Sequence, residues 1–307
     1  MVLSQVPPGF TRKIQWPLPQ RFYQVETLIF GQAVTRALNP ERFIIGTEDP
    51  QTPLPPLLLF FLNSFKCPIL PMRYESAELS KIAINMFLVS SISTTNILAE
   101  LCEKIGADWA EIIPSLQLDK RIGKYAYLFP GLGIGGGNLE RDLATFCSLA
   151  SQYGTESTIV RAWQSNARYR KDWVLKKLHA HFPLHKNGLI CGILGLSYKK
   201  DTASIKNSPA LALISHLTKF SLRLFDPIVK CLPDCYADTQ SFSSAQEAYR
   251  GADALLIMTP WDEFKALSPQ NIAENMRGKT VIDPYGILDG ATCRSVGLNH
   301  YKLGISS

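Results

Sequence analysis

The sequence predicts an α/β protein in which a helical stretch precedes a doubly wound parallel sheet. Three observations carry this. Residues 76–182 place apolar side chains at helical spacing in several successive segments. From Gly188 onward, short apolar runs alternate with helical stretches, the pattern of a parallel sheet with helical crossovers. The composition is that of a core-forming chain: 307 residues, 46% hydrophobic and 19% charged, where disordered and coiled-coil chains carry far more charge. At about 150 residues per domain, such a length holds about two domains.

Taken in order, the first 74 residues are rich in proline and short apolar runs. Residues 27–38 have helical spacing, and Phe43 to Gly46 reads as a short strand ended by glycine. No complete domain emerges there, for want of a first strand, a second strand and a Gly-rich turn. From Ser76 a long helix is expected, with Ser76 as N-cap and Leu79, Ile82, Ala83, Met86, Phe87, Ile97, Leu98, Leu101 and Ile105 at helical spacing. Gly106 supplies the stop. Further helices are expected from Asp108, over Leu139 to Tyr153, and over 158–182 with Val160, Trp163, Trp173, Val174, Leu175 and Leu178. LICGILG then reads as a buried strand, followed by a helix over Pro209 to Lys219. SLRLFDP is a second strand ending in an acid, with a helix near 243–250 after it. ALLIMT is a third strand, residues 269–276 a short helix, TVIDP a fourth strand, and Tyr301 to Leu303 a last apolar piece.

Several function classes are disfavoured. The net charge is only +6, and no basic run exceeds Lys199-Lys200 or Lys176-Lys177, so nucleic acid is not the expected partner; a small anion fits. The longest apolar run, Leu57 to Leu62, is too short to span a bilayer, and MVLSQVPPGFTRK holds no signal core. The seven cysteines are scattered and odd in number, as expected of a reducing cytosol. Cys231 and Cys235, spaced CxxxC around Pro233, read as incidental thiols. His179, His181 and His185 read as solvated, and no Cys or His cluster completes a tetrahedral metal site.

Three motifs carry chemistry. In GLGIGGG, residues 131, 133 and 136 satisfy GxGxxG, but KYAYLFP precedes them where a dinucleotide fingerprint needs a buried strand. The glycines read as letting backbone pass close to a ligand or a helix, or as a flexible loop. Lys81 and Asn85, four residues apart, share a face of the long helix and interrupt its apolar pattern; a solvated polar stripe is the alternative. In LGLSYKKDTASIKNSP a strand enters a Gly-containing turn, two lysines follow, and a helix starts near Pro209. That arrangement suits phosphate, with a plain charged loop as the alternative.

In this order the pieces resemble the UDP-glucose/GDP-mannose dehydrogenase family, over essentially the whole chain. SAELSKIAINMFL resembles its central-helix motif and GIGGGNLERD its Gly-rich active-site loop. LGLSYKKDT with SPA, LFDP and TPWDEF resemble landmarks of its nucleotide-sugar domain. VETLIFGQA resembles the loop of a catalytic glutamate, LNPERFIIG the strand after it, and SQVPPG the end of a cofactor-domain strand. The resemblance implies a truncated Rossmann remnant at 1–74, a central all-helical dimerisation domain at 75–182, and a Rossmann-like UDP-sugar-binding domain at 183–307. It implies NAD as cofactor, a nucleotide sugar as substrate, and a cytoplasmic homodimer joined through the central helix.

Residue by residue, the resemblance makes Glu26 the active-site glutamate, Lys81 the oxyanion stabiliser, Asn85 its hydrogen-bonding partner and Asp142 the aspartate that handles a proton or water. Gly133, Gly135, Gly136 and Lys199 would bind substrate, Arg121 would reach the substrate of a partner subunit, and Arg141 would touch the cofactor. The departures are specific. The family's nucleophilic cysteine falls on Asn138, a threonine on Gln5, an arginine on Tyr285 and another on Lys206, and one residue is added between Arg121 and the glycines. The chain begins near the end of the cofactor domain, so NAD binding by this chain alone is not expected.

The family reaction removes two hydrides from one carbon. The first oxidation needs a base and an oxyanion stabiliser but no nucleophile; the second proceeds through addition of a thiol to the aldehyde. Asn138 offers hydrogen bonds but no comparable nucleophile. The expectation is an enzyme that stops after one oxidation, or one that oxidises transiently as an epimerase does. Outside that class stand a non-catalytic nucleotide-sugar-binding protein and a gene fragment.

Overall fold

A computed structural model describes residues 1–29, 31–182, 188–230, 232–233, 236 and 239–306. Cys231, Cys235 and His185 lie outside the described residues. The chain divides into two compact units, Met1–Phe87 with Asp142–Thr155, and Leu88–Arg141 with Glu156–Ser307.

The first unit opens with a one-turn helix, α1 (Phe10–Lys13), then β1 (Tyr23–Gln24), α2 (Ala33–Leu38), β2 (Phe43–Thr47), α3 (Pro56–Asn63), β3 (Ile69–Arg73) and the start of α4 (Tyr74–Ile105). The sheet order is β1-β2-β3, with β2 antiparallel to β1 and parallel to β3. Every residue of β2 is buried, as the apolar run Phe43 to Gly46 requires. The helix expected over 27–38 forms only from Ala33. The Leu57 to Leu62 run becomes α3, started by Pro56 at its first position, where proline's fixed φ suits a helix and its missing N–H costs nothing.

α4 begins two residues before the expected N-cap, so Ser76 lies inside the helix and its carbonyl accepts from Ser80 Oγ. The helix is instead anchored by Tyr74, whose hydroxyl lies 2.8 and 2.9 Å from the carbonyls of Arg21 and Leu18. Fully buried Glu78 accepts from the backbone N–H of Gly9 at 2.5 Å and of Thr11 at 2.7 Å, satisfying donors at the start of α1 that the helix leaves orphaned. The stop at Gly106 is as expected, with φ +77°. By length and composition alone α4 is apolar enough to cross a bilayer, with an 18-residue window of mean hydropathy 1.5. Its buried polar residues bond to protein groups, as in a core helix: Thr95 Oγ1 donates to the Tyr127 carbonyl and Asn96 Oδ1 accepts from Gly131 N–H.

The second unit continues through α5 (Trp109–Leu118), capped by Asp108, and the start of α6 (Asn138–Tyr153). The single helix expected over 158–182 is two, α7 (Thr158–Lys171) and α8 (Trp173–His181), separated at Asp172. Fully buried Arg170 lies 3.1 Å from Glu100 and 3.8 Å from Glu103. Glu103 also accepts from Trp173 Nε1 and Gly304 N–H, which ties α4, α8 and the chain's last turn to one carboxylate.

The sheet of this unit holds β4 (Leu189–Leu194), β5 (Phe220–Phe225), β6 (Gln240–Ser241), β7 (Ala254–Ile257), β8 (Thr280–Ile282) and β9 (Asn299–Tyr301). Helices α9 (Pro209–Ile214), α10 (Ala245–Tyr249), α11 (Pro269–Asn275) and α12 (Gly290–Ser295) lie between the strands in sequence. α9 ends five residues short of Lys219, and α12 and β6 were not foreseen. All strands are parallel in the order β6-β5-β4-β7-β8-β9. Counted within the unit this is the doubly wound order 3-2-1-4-5-6, whose direction reverses between β4 and β7. In such sheets ligands bind outside the strand carboxyl ends at that reversal.

Candidate functional site

In the first unit, Asp142 on α6 is 1% exposed. Its carboxylate takes two side-chain amides: Gln5 Nε2 donates to Oδ1 and Asn85 Nδ2 to Oδ2. An ionised carboxylate only accepts, so both amides must turn their nitrogens toward it. Asn85 is buried, and Lys81 stands one turn earlier on α4, half-buried. Spacing identified the Lys81–Asn85 pair; Asp142 came from resemblance, and Gln5 entered only as a departure. Nothing local signals the Gln5–Asp142 bond, which closes across 137 residues.

Glu26 follows β1, is exposed, and its Oε1 accepts from Leu28 N–H; no hydrogen bond joins it to the Asp142 group. Tyr23, buried beside these acids, has its hydroxyl pushed up to about 12, first by burial and then by the negative charges of Glu78, Asp142 and Glu26.

In the second unit, the loops after β4, β5 and β7 meet at Asp226, the acid of LFDP. It is buried, and Oδ2 accepts from Leu196 N–H at 2.7 Å, Ser197 N–H at 3.3 Å and Trp261 Nε1 at 3.1 Å. Oδ1 accepts from Ile228 and Val229 N–H at 2.9 and 2.8 Å. Thr259 Oγ1 donates to the Ser197 carbonyl and Ser208 Oγ to the Leu196 carbonyl, so the loop after β4 is tied on both sides. Ser208 also caps α9, accepting from Ala210 N–H.

Lys199 rises from this loop, half-buried, its Nζ 5.8 Å from the centre of the Tyr198 ring. Desolvation pulls its ammonium below the usual lysine range, opposed by Asp201.

The Gly-rich loop lies against the same segment. A Cβ at Gly133, whose φ is +77°, would meet the Ala167 carbonyl oxygen at 2.2 Å. Gly135 and Gly136 abut the Tyr198 ring, and Gly137 abuts the end of the Lys206 side chain. Gly136 N–H donates to the Lys206 carbonyl, and Asn207 Nδ2 donates to both the Gly136 carbonyl and Glu140, which pairs with Lys171. The glycines therefore serve close backbone packing, the first of the two readings. Tyr285, where an arginine was expected, lies beside Gly131, and burial pushes its hydroxyl up.

Asn138 starts α6 with an exposed side chain that makes no hydrogen bond, and Arg141, one turn on, is also exposed. Arg121 lies far from burial: its side chain is 88% exposed and bonds Asp119, two residues away. Among the described residues no three His, Cys, Asp or Glu side chains gather as a metal site.

The described residues do not fit a dinucleotide. In a dinucleotide-binding sheet the first strand leads into a Gly-rich turn and the acid ending the second takes ribose hydroxyls. Here the turn after β4 reads GLSYKK, and Asp226, the acid in that position, is spent on five N–H donors of its own chain. The GxGxxG at 131–136 follows no strand.

Residues 75–168 match the central domain of the UDP-glucose/GDP-mannose dehydrogenase family, and residues 192–290 match its UDP binding domain. The UDP-glucose 6-dehydrogenase of Rickettsia typhi is 29% identical over 99% of this chain and 73% of its own length. That of Haloferax volcanii is 33% identical over 91% of this chain and 64% of its own. A UDP-glucose dehydrogenase from Pyrobaculum islandicum shares the fold, with a TM-score of 0.81 at 24% identity, covering 99% of this chain and 70% of that one.

Proposed function

The chain belongs to the UDP-glucose/GDP-mannose dehydrogenase family, and we propose that it binds a UDP-sugar and holds its primary alcohol for a single oxidation. The observation that carries this is the buried Asn85–Asp142 bond beside Lys81. The pairing satisfies two buried polar groups and holds Asn85 one turn from Lys81 on the same helix face. Lys199 and the loop after β4 take the diphosphate. In the first unit, Lys81 is the group that stabilises an alcohol oxygen as its proton leaves. Asn85 fixes that oxygen's direction.

NAD is the hydride acceptor of the family by resemblance, and its binding to this chain alone is expected to be undetectable. Asn138 provides no nucleophile, so the second oxidation has no covalent route. The exposed row Ile97, Leu98, Leu101 and Ile105 on α4 is wide enough for a helix-to-helix seam and joins two copies as a homodimer, which analytical ultracentrifugation reads directly. Free, unpaired cysteines at 67, 102, 147, 191 and 293 suit a cytoplasmic protein.

Calorimetry tests the reading. UDP-glucose is expected to bind, and Lys199→Ala to weaken it about tenfold, the value of one charge-assisted contact. No heat with UDP-glucose, or unchanged affinity in Lys199→Ala, overturns the substrate assignment. Tight binding of NAD overturns the cofactor statement.

A further inference from the structure

We propose that the cavity between α12 and the chain segment 298–306 is a second small-molecule site that takes a sugar phosphate. The phosphate lies on Arg294, Lys302 and His300, and the hydroxyls lie on Asp108, Asp289 and Asn299. None of the lining residues belongs to the loops after β4, β5 or β7, so the site is separate from the UDP-sugar reading above and does not depend on it.

The cavity measures about 890 Å³ and lies wholly within the second unit, a size in the range of small-ligand pockets. Its walls are held by backbone. Asp283 N–H donates to the Tyr301 carbonyl at 2.8 Å and Leu303 N–H to the Pro284 carbonyl at 3.2 Å. At the chain's last turn, Trp109 N–H donates to the Gly304 carbonyl at 2.8 Å, and Asp108 pairs with Ile305 in an isolated antiparallel bridge.

His300 is the group that asks for a ligand. Its side chain is 2% exposed and lines the cavity. Nε2 lies 3.2 Å from Oδ2 of fully buried Asp283, which also accepts from Leu288 N–H at 2.8 Å, while Oδ1 has no partner. An ionised carboxylate only accepts, so Nε2 carries a proton, and Nδ1 has no hydrogen-bond partner among the described residues. In a neutral ring Nδ1 accepts from a hydroxyl; in a protonated ring it donates to a phosphate oxygen. Either way it needs a polar partner that the protein does not supply. A Cβ at Gly290 would stand 3.1 Å from that Nδ1 and 3.4 Å from Arg294 Nη1, so imidazole and guanidinium flank one bare glycine. Lys302 runs over Gly286, whose Cβ would lie 3.3 Å from its Cδ. Among the described residues neither Arg294 nor Lys302 donates a side-chain hydrogen bond or joins an ion pair.

Two acids line the same cavity and set what else the ligand carries. Asp289 caps α12 through Thr292 N–H and Oγ1; those bonds first, and then the charges of Arg294 and His300, hold its carboxyl below the usual range. Asp108 caps α5 through Ala110 N–H. Their charges oppose those of the two cations, so a bare inorganic anion gains little. A carboxylate has about four lone-pair sites, and both acids keep capacity for hydroxyl donors. A phosphate joined to a ring of hydroxyls satisfies both signs at once; a bare phosphate or a free sugar satisfies one.

The experiment is calorimetry of the full chain with glucose 6-phosphate, inorganic phosphate and glucose as probes. Glucose 6-phosphate is expected to bind at one site, more tightly than either of the others. Arg294→Gln and Lys302→Gln are each expected to weaken it about tenfold, the value of one charge-assisted contact. His300→Gln is expected to weaken it as well; if that chain does not fold, the two cation variants, at exposed and half-buried positions, still decide. Lys199→Ala is expected to leave this binding unchanged. No heat with glucose 6-phosphate, unchanged affinity in both cation variants, or loss of the binding in Lys199→Ala overturns the proposal. Equal affinity for inorganic phosphate overturns it too, since the hydroxyls then contribute nothing. Failure to bind UDP-glucose overturns the functional reading while leaving the glucose 6-phosphate signal in place.

Discussion

The polar group around Asp142 and the loop cluster around Asp226 both centre on a buried carboxylate, but they are tied differently. Asp142 is held by two side-chain amides. Asp226 is held by four backbone N–H groups and one indole. Side-chain ties change with one substitution, and the position-5 departure is such a change. Backbone ties are set by loop geometry and persist whatever the side chains are. The first region can be altered one side chain at a time; the second is held by its backbone.

The sharpest way to break that contrast is Asp226→Ala. Five donors lose their acceptor, and the expected loss is about 3–5 kcal/mol in urea unfolding, the scale of a broken buried charge network. A loss no larger than that of Gln5→Ala, expected near 1 kcal/mol for one hydrogen bond, would erase the distinction.

High pH is expected to have a smaller effect, centred on the Asp142 side. Tyr23 ionises near 10 when unfolded and near 12 when folded. Between those values the unfolded chain has lost a proton that the folded chain keeps, so stability falls as pH rises. The expected loss is about 2–3 kcal/mol by pH 12, fully absent below pH 10. Tyr23→Phe should flatten that limb of a pH–stability curve; an unchanged curve means other groups govern it.

Smaller still is a pair of substitutions in the glycine loop. Gly133→Ala meets a backbone carbonyl at positive φ and is expected to cost about 2 kcal/mol. Gly137→Ala meets only the flexible end of Lys206 and is expected to stay within about 0.5 kcal/mol. Thermal melts of the two variants should separate; equal melts would make the loop's backbone contact irrelevant.

Much of the second unit was legible because its elements are long or wholly buried. β4 and β7 are uninterrupted apolar runs, and α5 and the parallel, doubly wound character of the sheet follow from period and spacing. The first unit was not, since β1 has two residues, β3 carries Pro71, and α3 is apolar all round and so shows no period. Ser76 misled because Tyr74 starts the helix from contacts with residues 18 and 21, which no local pattern contains. In the site, Lys81 and Asn85 were visible as a four-residue spacing. The bond that defines Asp142 joins residues 137 apart and was not. Asp226 was noticed as an acid ending a strand, but its engagement by five donors depends on where three loops meet.

That engagement has a consequence for substitution. The loops after β4 and β5 take their shape from Asp226 and main-chain groups. Lys206 and Tyr285 stand where arginines were expected, and the loop between β4 and α9 closes regardless. A substitution at Lys199 is thus expected to leave the domain folded, while Asp226 is held by main-chain groups.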